Sequence, residues 1–285
     1  MRILENKGID TTTLRVPGEG ERPNRTVIEY IKYHPQVLKE TSNDYDLIHA
    51  NCGLTAPFAL LQQERPIVVT FWGDDLMKYG IVTKRCANFF DAVIVRSEEM
   101  KDMLDCEAYI VPSGVDMELF RPMDELKAKS ILGWDNKDKH IIFPYSPERP
   151  KKNYPLAKEI VSKANNELKE DIVLHHMSNV DFQKMPTYMN AADGLLLTST
   201  REGSPNTIKE ALSCNLPIVS TNVGDVEKRV QNVDLSYVCD SKAELTNRLV
   251  EIIEADQRTN GRGYVKEVSL ESMGDRLLEI YDRVM

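Results

Sequence analysis

Short β-branched apolar runs alternate with longer amphipathic stretches along nearly the whole chain. The runs predict strands at residues 10–16, 47–50, 67–71, 92–95 and 109–111. A second set is predicted at residues 140–143, 172–175, 194–198, 217–220 and 236–239. Helical periodicity fills the intervals, for example over residues 154–168 and 242–255. Strands that are apolar throughout, alternating with helices, belong to parallel sheets covered on both faces. The two sets are separated by residues 116–139. That stretch holds Pro122, Gly133 and the polar run Asp135-Asn136-Lys137-Asp138-Lys139, which reads as a linker with a short helix. The pattern predicts two α/β domains of similar design with a cleft between them. Ligands of such sheets bind beyond the carboxyl ends of the strands, so the loops after the strands are where chemistry is sought.

Composition narrows the classes. Of 285 residues, 41% are hydrophobic and 28% charged, a globular mixture that sets disorder aside. A net charge of −9 disfavours a nucleic-acid partner but leaves room for a local positive pocket that takes a small anion. The five cysteines, Cys52, Cys86, Cys106, Cys214 and Cys239, are odd in number and form no C-x-x-C pair. They predict neither a disulfide framework nor a zinc site, and they fit a reducing compartment. No apolar run approaches the roughly 20 residues that span a bilayer. Met1-Arg2-Ile3-Leu4-Glu5-Asn6-Lys7 has no signal-peptide core. The expectation is a soluble, cytoplasmic protein, with peripheral contact at a membrane surface left open.

The most informative segment is ADGLLLTSTREGSPNTIKEALSCNLPIVSTNVGDVEKRV, residues 192–230. An apolar strand runs into a polar loop, Ser199 to Ser204. A short helix follows, for which Ser204 or Asn206 is a candidate cap and Pro205 suits the first turn. Asn215 stands where a helix ends in the left-handed conformation, two residues before Pro217. The first N–H groups of the helix, those of Asn206 and Thr207, lack internal partners and carry the positive end of the dipole, which favours an anion. Gly203 allows close approach of a ligand to the backbone. Glu202 and Glu210 flank this turn. Facing a phosphate they would repel it; beside a diphosphate, each can accept hydrogen bonds from hydroxyl pairs, one set on a sugar and one on a ribose. On spacing alone, both also fit surface charges at a helix start.

This segment resembles the donor-binding motif of retaining glycosyltransferases of family 4. The residues that carry the likeness are Glu202-Gly203-Ser204-Pro205 and Glu210-Ala211-Leu212-Ser213-Cys214-Asn215-Leu216-Pro217-Ile218-Val219, with Asn215 where the family usually has Gly. Further stretches resemble the same family in the same order: Asp44 to Ala50, Thr70-Phe71-Trp72-Gly73-Asp74-Asp75-Leu76, Val111 to Asp116, and Phe120-Arg121-Pro122. The likeness implies the GT-B fold, two Rossmann-like parallel-sheet domains facing across a cleft. Residues 1–116 would form the acceptor-side domain and residues 117–262 the donor-binding domain. Residues 263–285 would form a terminal segment whose helix returns to the first domain. It also implies transfer of a sugar from a UDP- or GDP-sugar to an acceptor (saccharide, lipid-linked or protein), with no cofactor and no metal. Glu202, Arg149 and Lys152 would be the catalytic set, the two cations neutralising the departing diphosphate. Gly203, Ser204, Pro205, Asn206, Thr207 and Glu210 would bind the donor. Trp72, Gly73, Asp74 and Asp75 would face the acceptor side.

The sequence departs from the family at two places. Leu4 to Leu14 is similar to the end of the family's first helix and its second strand, so the opening strand, loop and most of the first helix are expected to be missing. Met1 to Leu4 as a stunted first strand is the alternative, although no turn glycines follow it. Trp72 stands where many relatives have His; an indole can stack on a sugar but cannot shuttle protons near neutral pH. Lys151 and Lys152 also fit a solvated charge run, and Asp74 and Asp75 also fit caps of the next helix. The Asp44-Tyr45-Asp46 string precedes a strand and reads as strand entry rather than a metal site. His175 and His176 point to opposite faces of a strand and cannot share an ion; with Met177 and Ser178 they are candidates to line a base pocket. His34 and His140 show no informative neighbours. Two rivals stand beside transfer: a non-catalytic nucleotide-sugar-binding or regulatory homologue, and a related phosphorylase or epimerase.

Overall fold

The computed structural model describes residues 2–16, 27–51, 53–62, 64–78, 80–168 and 171–285. Cys52 and the side chain of Asp74 lie outside the described set. The chain divides into two compact units, Met1–Pro112 with Met273–Met285, and Ser113–Ser272.

The first unit holds a parallel sheet of β1 (Ile48–Ala50), β2 (Ile67–Thr70), β3 (Ala92–Val95) and β4 (Tyr109–Ile110), in that spatial order. Every residue of β2 and β3 is buried because both faces are covered. Val69, Val93 and Val95 pack with Leu76, Met100 and Leu104 on one face. Val68 and Ile94 pack with Leu4, Leu277, Ile280 and Tyr281 on the other. This alternation explains why the two strands are apolar at every position but Thr70. His49 on β1 lies between the Tyr281 hydroxyl at 2.6 Å and Thr70 Oγ1 at 2.8 Å. Burial first, and then the charge of Arg96, lowers its pKa to about 4.

Residues 10–16 are not a strand. Thr12, Thr13, Leu14 and Arg15 are exposed and only Val16 is buried, so the β-branched run has no covered face. It also pairs with no strand of the sheet, and intrinsic strand preference is weak without a neighbour. Arg2–Asn6 is a helix, which replaces the stunted-strand alternative; among the described residues no strand precedes β1.

The second unit holds a parallel sheet of β5 (Lys139–Phe143), β6 (Ile172–His176), β7 (Gly194–Leu197), β8 (Ile218–Thr221) and β9 (Ser236–Cys239). Their spatial order is β6-β5-β7-β8-β9. The chain moves outward from β5 to β6 and then returns to place β7 on the other side of β5. The order reverses there, and the crevice outside the carboxyl ends of β5 and β7 is where such sheets take ligands. The helices Tyr154–Leu168 and Lys242–Ala255 cover one face, and Asn206–Ser213 covers the other. β8 starts at Ile218 rather than Pro217, because proline has no N–H for the ladder; its carbonyl still accepts from Leu195 at 2.9 Å.

Candidate functional site

The loops that follow β5 and β7 are fastened to each other. Thr198 Oγ1 donates to the carbonyls of Lys152 and Asn153, both at 3.0 Å, and the Thr200 N–H donates to the Lys151 carbonyl at 2.9 Å. The β5 loop ends in a 3-10 turn, Pro150–Lys152, closed by Asn153 at φ 55°. This junction brings Lys152 against Glu202 as a buried ion pair, with Glu202 Oε1 also accepting from Ser199 Oγ at 2.7 Å.

Tyr145 lies under this pair. The Lys152 ammonium sits 3.5 Å from the Tyr145 ring centroid, and the Arg149 guanidinium carbon sits 5.2 Å from it. The Tyr145 hydroxyl is 3.3 Å from Thr207 Oγ1, which ties the β5 loop to the start of the Asn206–Ser213 helix. Burial, and then the nearby Glu202 carboxylate, push the phenol well above its ordinary range, so it stays protonated. Arg149, Lys152, Glu202 and Thr207 therefore converge on one aromatic ring.

The helix itself starts bare. Its N-cap is Pro205, which supplies no side-chain bond. The expected caps are occupied elsewhere: Ser204 donates to Asp225 Oδ2 at 2.9 Å, and Asn206 Oδ1 faces Lys209 Nζ at 3.4 Å. No hydrogen bond among the described residues uses the N–H groups of Asn206 or Thr207. Two free donors and the helix dipole remain at this end. The Gly203 carbonyl is pinned by the Asp225 N–H at 3.0 Å. Gly224 makes that approach possible: its φ is +56°, and a Cβ there would lie 2.2 Å from the Gly203 oxygen.

Glu210 is 8% exposed and accepts no hydrogen bond from the described residues. Burial raises its pKa to about 7, against a smaller opposing effect of Lys209. It stands four residues after Asn206, hence on the same side of the helix. Lys209 is fully buried and donates to the Ser113 carbonyl at 2.9 Å. Asn215 closes the helix at φ 54°, the left-handed cap that the sequence predicts.

In the first unit, Trp72 precedes the Gly73–Lys78 helix and is 38% exposed. Its indole N–H donates to the Asn51 carbonyl at 3.0 Å. Asp75 is buried, and its Oδ2 accepts from the N–H groups of Trp72 at 2.9 Å and Gly53 at 2.8 Å. This carboxylate braces two loops. Asp44 and Asp46 are exposed ahead of β1.

His140 and His175 depart from expectation. Their rings meet at 3.0 Å between Nδ1 and Nε2, and Trp134 stacks on both, 3.9 Å from His175 and 4.5 Å from His140. His175 is thus enclosed by aromatic neighbours rather than presented to a base pocket. His176 is exposed with its edge to Tyr154, and Met177 is in the core. The sequence motifs do not single out Tyr145, Ser199, Gly224 or Asp225; the position of Tyr145 two residues past an apolar strand is the one local signal.

Residues 147–255 match the family model described as Glycosyl transferases group 1. A candidate teichuronic acid biosynthesis glycosyltransferase, TuaC of Bacillus subtilis (strain 168), is 24% identical over 245 residues, covering 74% of this chain and 61% of that protein. The chain thus spans less than two thirds of the length of this relative. Sucrose-phosphate synthase from Thermosynechococcus elongatus matches with a TM-score of 0.72 at 17% identity, over 96% of this chain and 84% of that one. Anabaena HepE in complex with UDP and glucose matches with a TM-score of 0.68 at 18% identity, over 89% and 82%. Two parallel-sheet Rossmann-like units, as in these GT-B structures, are the fold of this chain.

Proposed function

We propose that this chain is a glycosyltransferase that moves a sugar from a UDP- or GDP-sugar to an acceptor, with retention at the anomeric carbon and without a metal. The observation that carries this reading is Glu210: a buried carboxylate with no donor among the described residues, on the same side of a helix whose first N–H groups they leave unused. Ribose hydroxyls supply the donors that Glu210 lacks. The diphosphate takes the N–H groups of Asn206 and Thr207, and Gly203 leaves its approach open, with nothing within 4 Å of a Cβ placed there. Arg149 and Lys152 offset the charge that builds on the leaving diphosphate, and Glu202, held by Lys152 and Ser199, accepts from sugar hydroxyls. Retention follows from front-face attack, in which the leaving phosphate takes the acceptor's proton. Structures of HepE hold UDP and UDP-glucose, which favours a uridine donor.

A panel of UDP- and GDP-sugars, read by thermal shift and by release of nucleoside diphosphate, tests this. A donor at a hundredfold excess over its Kd stabilises the protein by about 2.7 kcal/mol. No shift from any nucleotide sugar contradicts the reading. Trp72, which cannot take up a proton, favours one second reading, a homologue that binds the donor without turnover. Binding without nucleotide release across an acceptor panel would select it.

A further inference from the structure

Four residues just past the strands of the first unit form a chain of contacts across the carboxyl edge of its sheet. Asn51 follows β1, Trp72 lies two residues past β2, Arg96 follows β3 and Val111 follows β4. The Trp72 indole N–H donates to Asn51, the Arg96 guanidinium carbon lies 4.2 Å from the Trp72 ring centroid, and Arg96 Nη1 donates to the Val111 carbonyl at 2.9 Å. This edge is where a parallel sheet presents ligand-binding residues.

Arg96 has fewer acceptors for its donors than the other basic side chains held inside the protein, Lys209 included, whose ammonium meets the Ser113 carbonyl and Asn206 Oδ1. Lys152 pairs with Glu202, Arg229 with Asp225 and Glu267, and Lys129 with Glu125 and Asp193. Arg262 has no acid but is met by three carbonyls, those of Met117, Phe120 and Ser213. Arg96 meets one carbonyl and one ring, and its Nε is buried with no acceptor. Its pKa is lowered to about 10 by burial, with no opposing carboxylate among the described residues. The nearby ionisable groups do not neutralise it: His49 is held neutral between Tyr281 and Thr70, and Asp75 is tied to two backbone N–H groups. A half-buried guanidinium that meets no acid among the described residues is a group in want of an anion. The adjoining indole, 38% exposed, offers an apolar surface of the kind a sugar ring covers.

We propose that Arg96 and Trp72 recognise an anionic group, a carboxylate or a phosphate, on the sugar acceptor. This rests on reading the chain as a sugar transferase. The guanidinium fork binds either oxyanion, while Trp72 positions Arg96 and contacts the acceptor ring. An acidic or phosphorylated saccharide is therefore selected over its neutral counterpart.

The test uses the protein's own fluorescence. Its two tryptophans are Trp72 and Trp134, and Trp134→Phe leaves Trp72 as the reporter. Glucuronate, glucose 6-phosphate, glucose and inorganic phosphate are titrated at low and high salt. At least one of the two acidic sugars is expected to change the emission saturably, about tenfold more tightly than glucose, with the difference shrinking in high salt. The identity of that sugar separates a carboxylate from a phosphate. Arg96→Met should abolish the preference, and Arg96→Lys, which keeps the charge but loses the fork, should weaken it about fivefold. Equal binding of glucose would overturn the proposal, as would an unaltered response in either Arg96 variant, or inorganic phosphate binding as tightly as both acidic sugars. If Arg96→Met does not fold, the Arg96→Lys result decides. Binding of the UDP- and GDP-sugars is measured calorimetrically in the same protein. Binding of any UDP- or GDP-sugar of the donor panel with no acid preference overturns this inference alone, and failure to bind every one of them removes the transferase reading instead.

Discussion

Glu210→Gln separates what this carboxylate does to stability from what it does for a ligand. The side chain is 8% exposed, and burial lifts its pKa from 4.5 to about 7. The folded state therefore binds a proton that the unfolded chain has already released between those values. A raised acid stabilises fully below its unfolded pKa, and that contribution is lost as pH rises through the folded one. At about 1.4 kcal/mol per pH unit, the wild type loses about 3 kcal/mol from this group between pH 4.5 and 8. Glutamine keeps the shape and cannot ionise. The variant should match the wild type near pH 4.5 and exceed it by about 3 kcal/mol at pH 8. Urea titrations from pH 4.5 to 8 read this in a Trp72→Phe background, where Trp134 reports on the second unit. In the same variant, the affinity for UDP-glucose should fall about tenfold, because a charged acceptor of ribose hydroxyls is lost. A stability difference that does not change with pH would refute the burial argument. An unchanged affinity would refute the ribose assignment.

Three further outcomes follow from the geometry. Lys152→Met leaves the Glu202 carboxylate without its paired cation, with the Ser199 and Tyr145 hydroxyls as partners, so it should lower stability by about 3 kcal/mol by urea denaturation. Adding Glu202→Gln should recover most of that stability but no nucleotide release, and recovery of turnover would contradict the roles given to this pair. Gly224→Ala drives a Cβ into the Gly203 carbonyl from a left-handed backbone, so it should cost about 2 kcal/mol or more and weaken UDP-glucose binding measured calorimetrically; unchanged binding would show that the loop is not braced there. His175 is held near pKa 4 by burial, then by His140 and His176, so its contribution is present above pH 6.5 and lost as pH falls toward 4. His175→Gln should make the second unit less sensitive to acid in a melting-temperature series, and an unchanged acid profile would remove this pair as the cause.

What the chain reveals before folding depends on the range of the interaction. A strand buried on both faces is apolar at each position, so β3 is delimited to the residue; the edge strand β9 and the amphipathic helices Tyr154–Leu168 and Lys242–Ala255 are delimited as well. Residues 10–16 mislead because threonine preference counts for little without a strand to pair with. At the candidate site, the strand, turn and left-handed Asn215 are local and can be read from spacing. The helix cap cannot: the Ser204 hydroxyl is taken by Asp225, 21 residues on. Tyr145 and the Lys152–Glu202 pair likewise depend on β5 and β7 being neighbours, which no local pattern states. Trp134, His140 and His175 meet through the β5–β6 pairing for the same reason.

The central claim is that the uncapped start of the Asn206–Ser213 helix holds a diphosphate while Glu210 holds a ribose. A crystal structure with UDP-glucose tests it most directly. Phosphate oxygens are expected about 3 Å from the N–H groups of Asn206 and Thr207, with both ribose hydroxyls on Glu210. Nucleotide bound elsewhere, or bound here with Glu210 untouched, would contradict it.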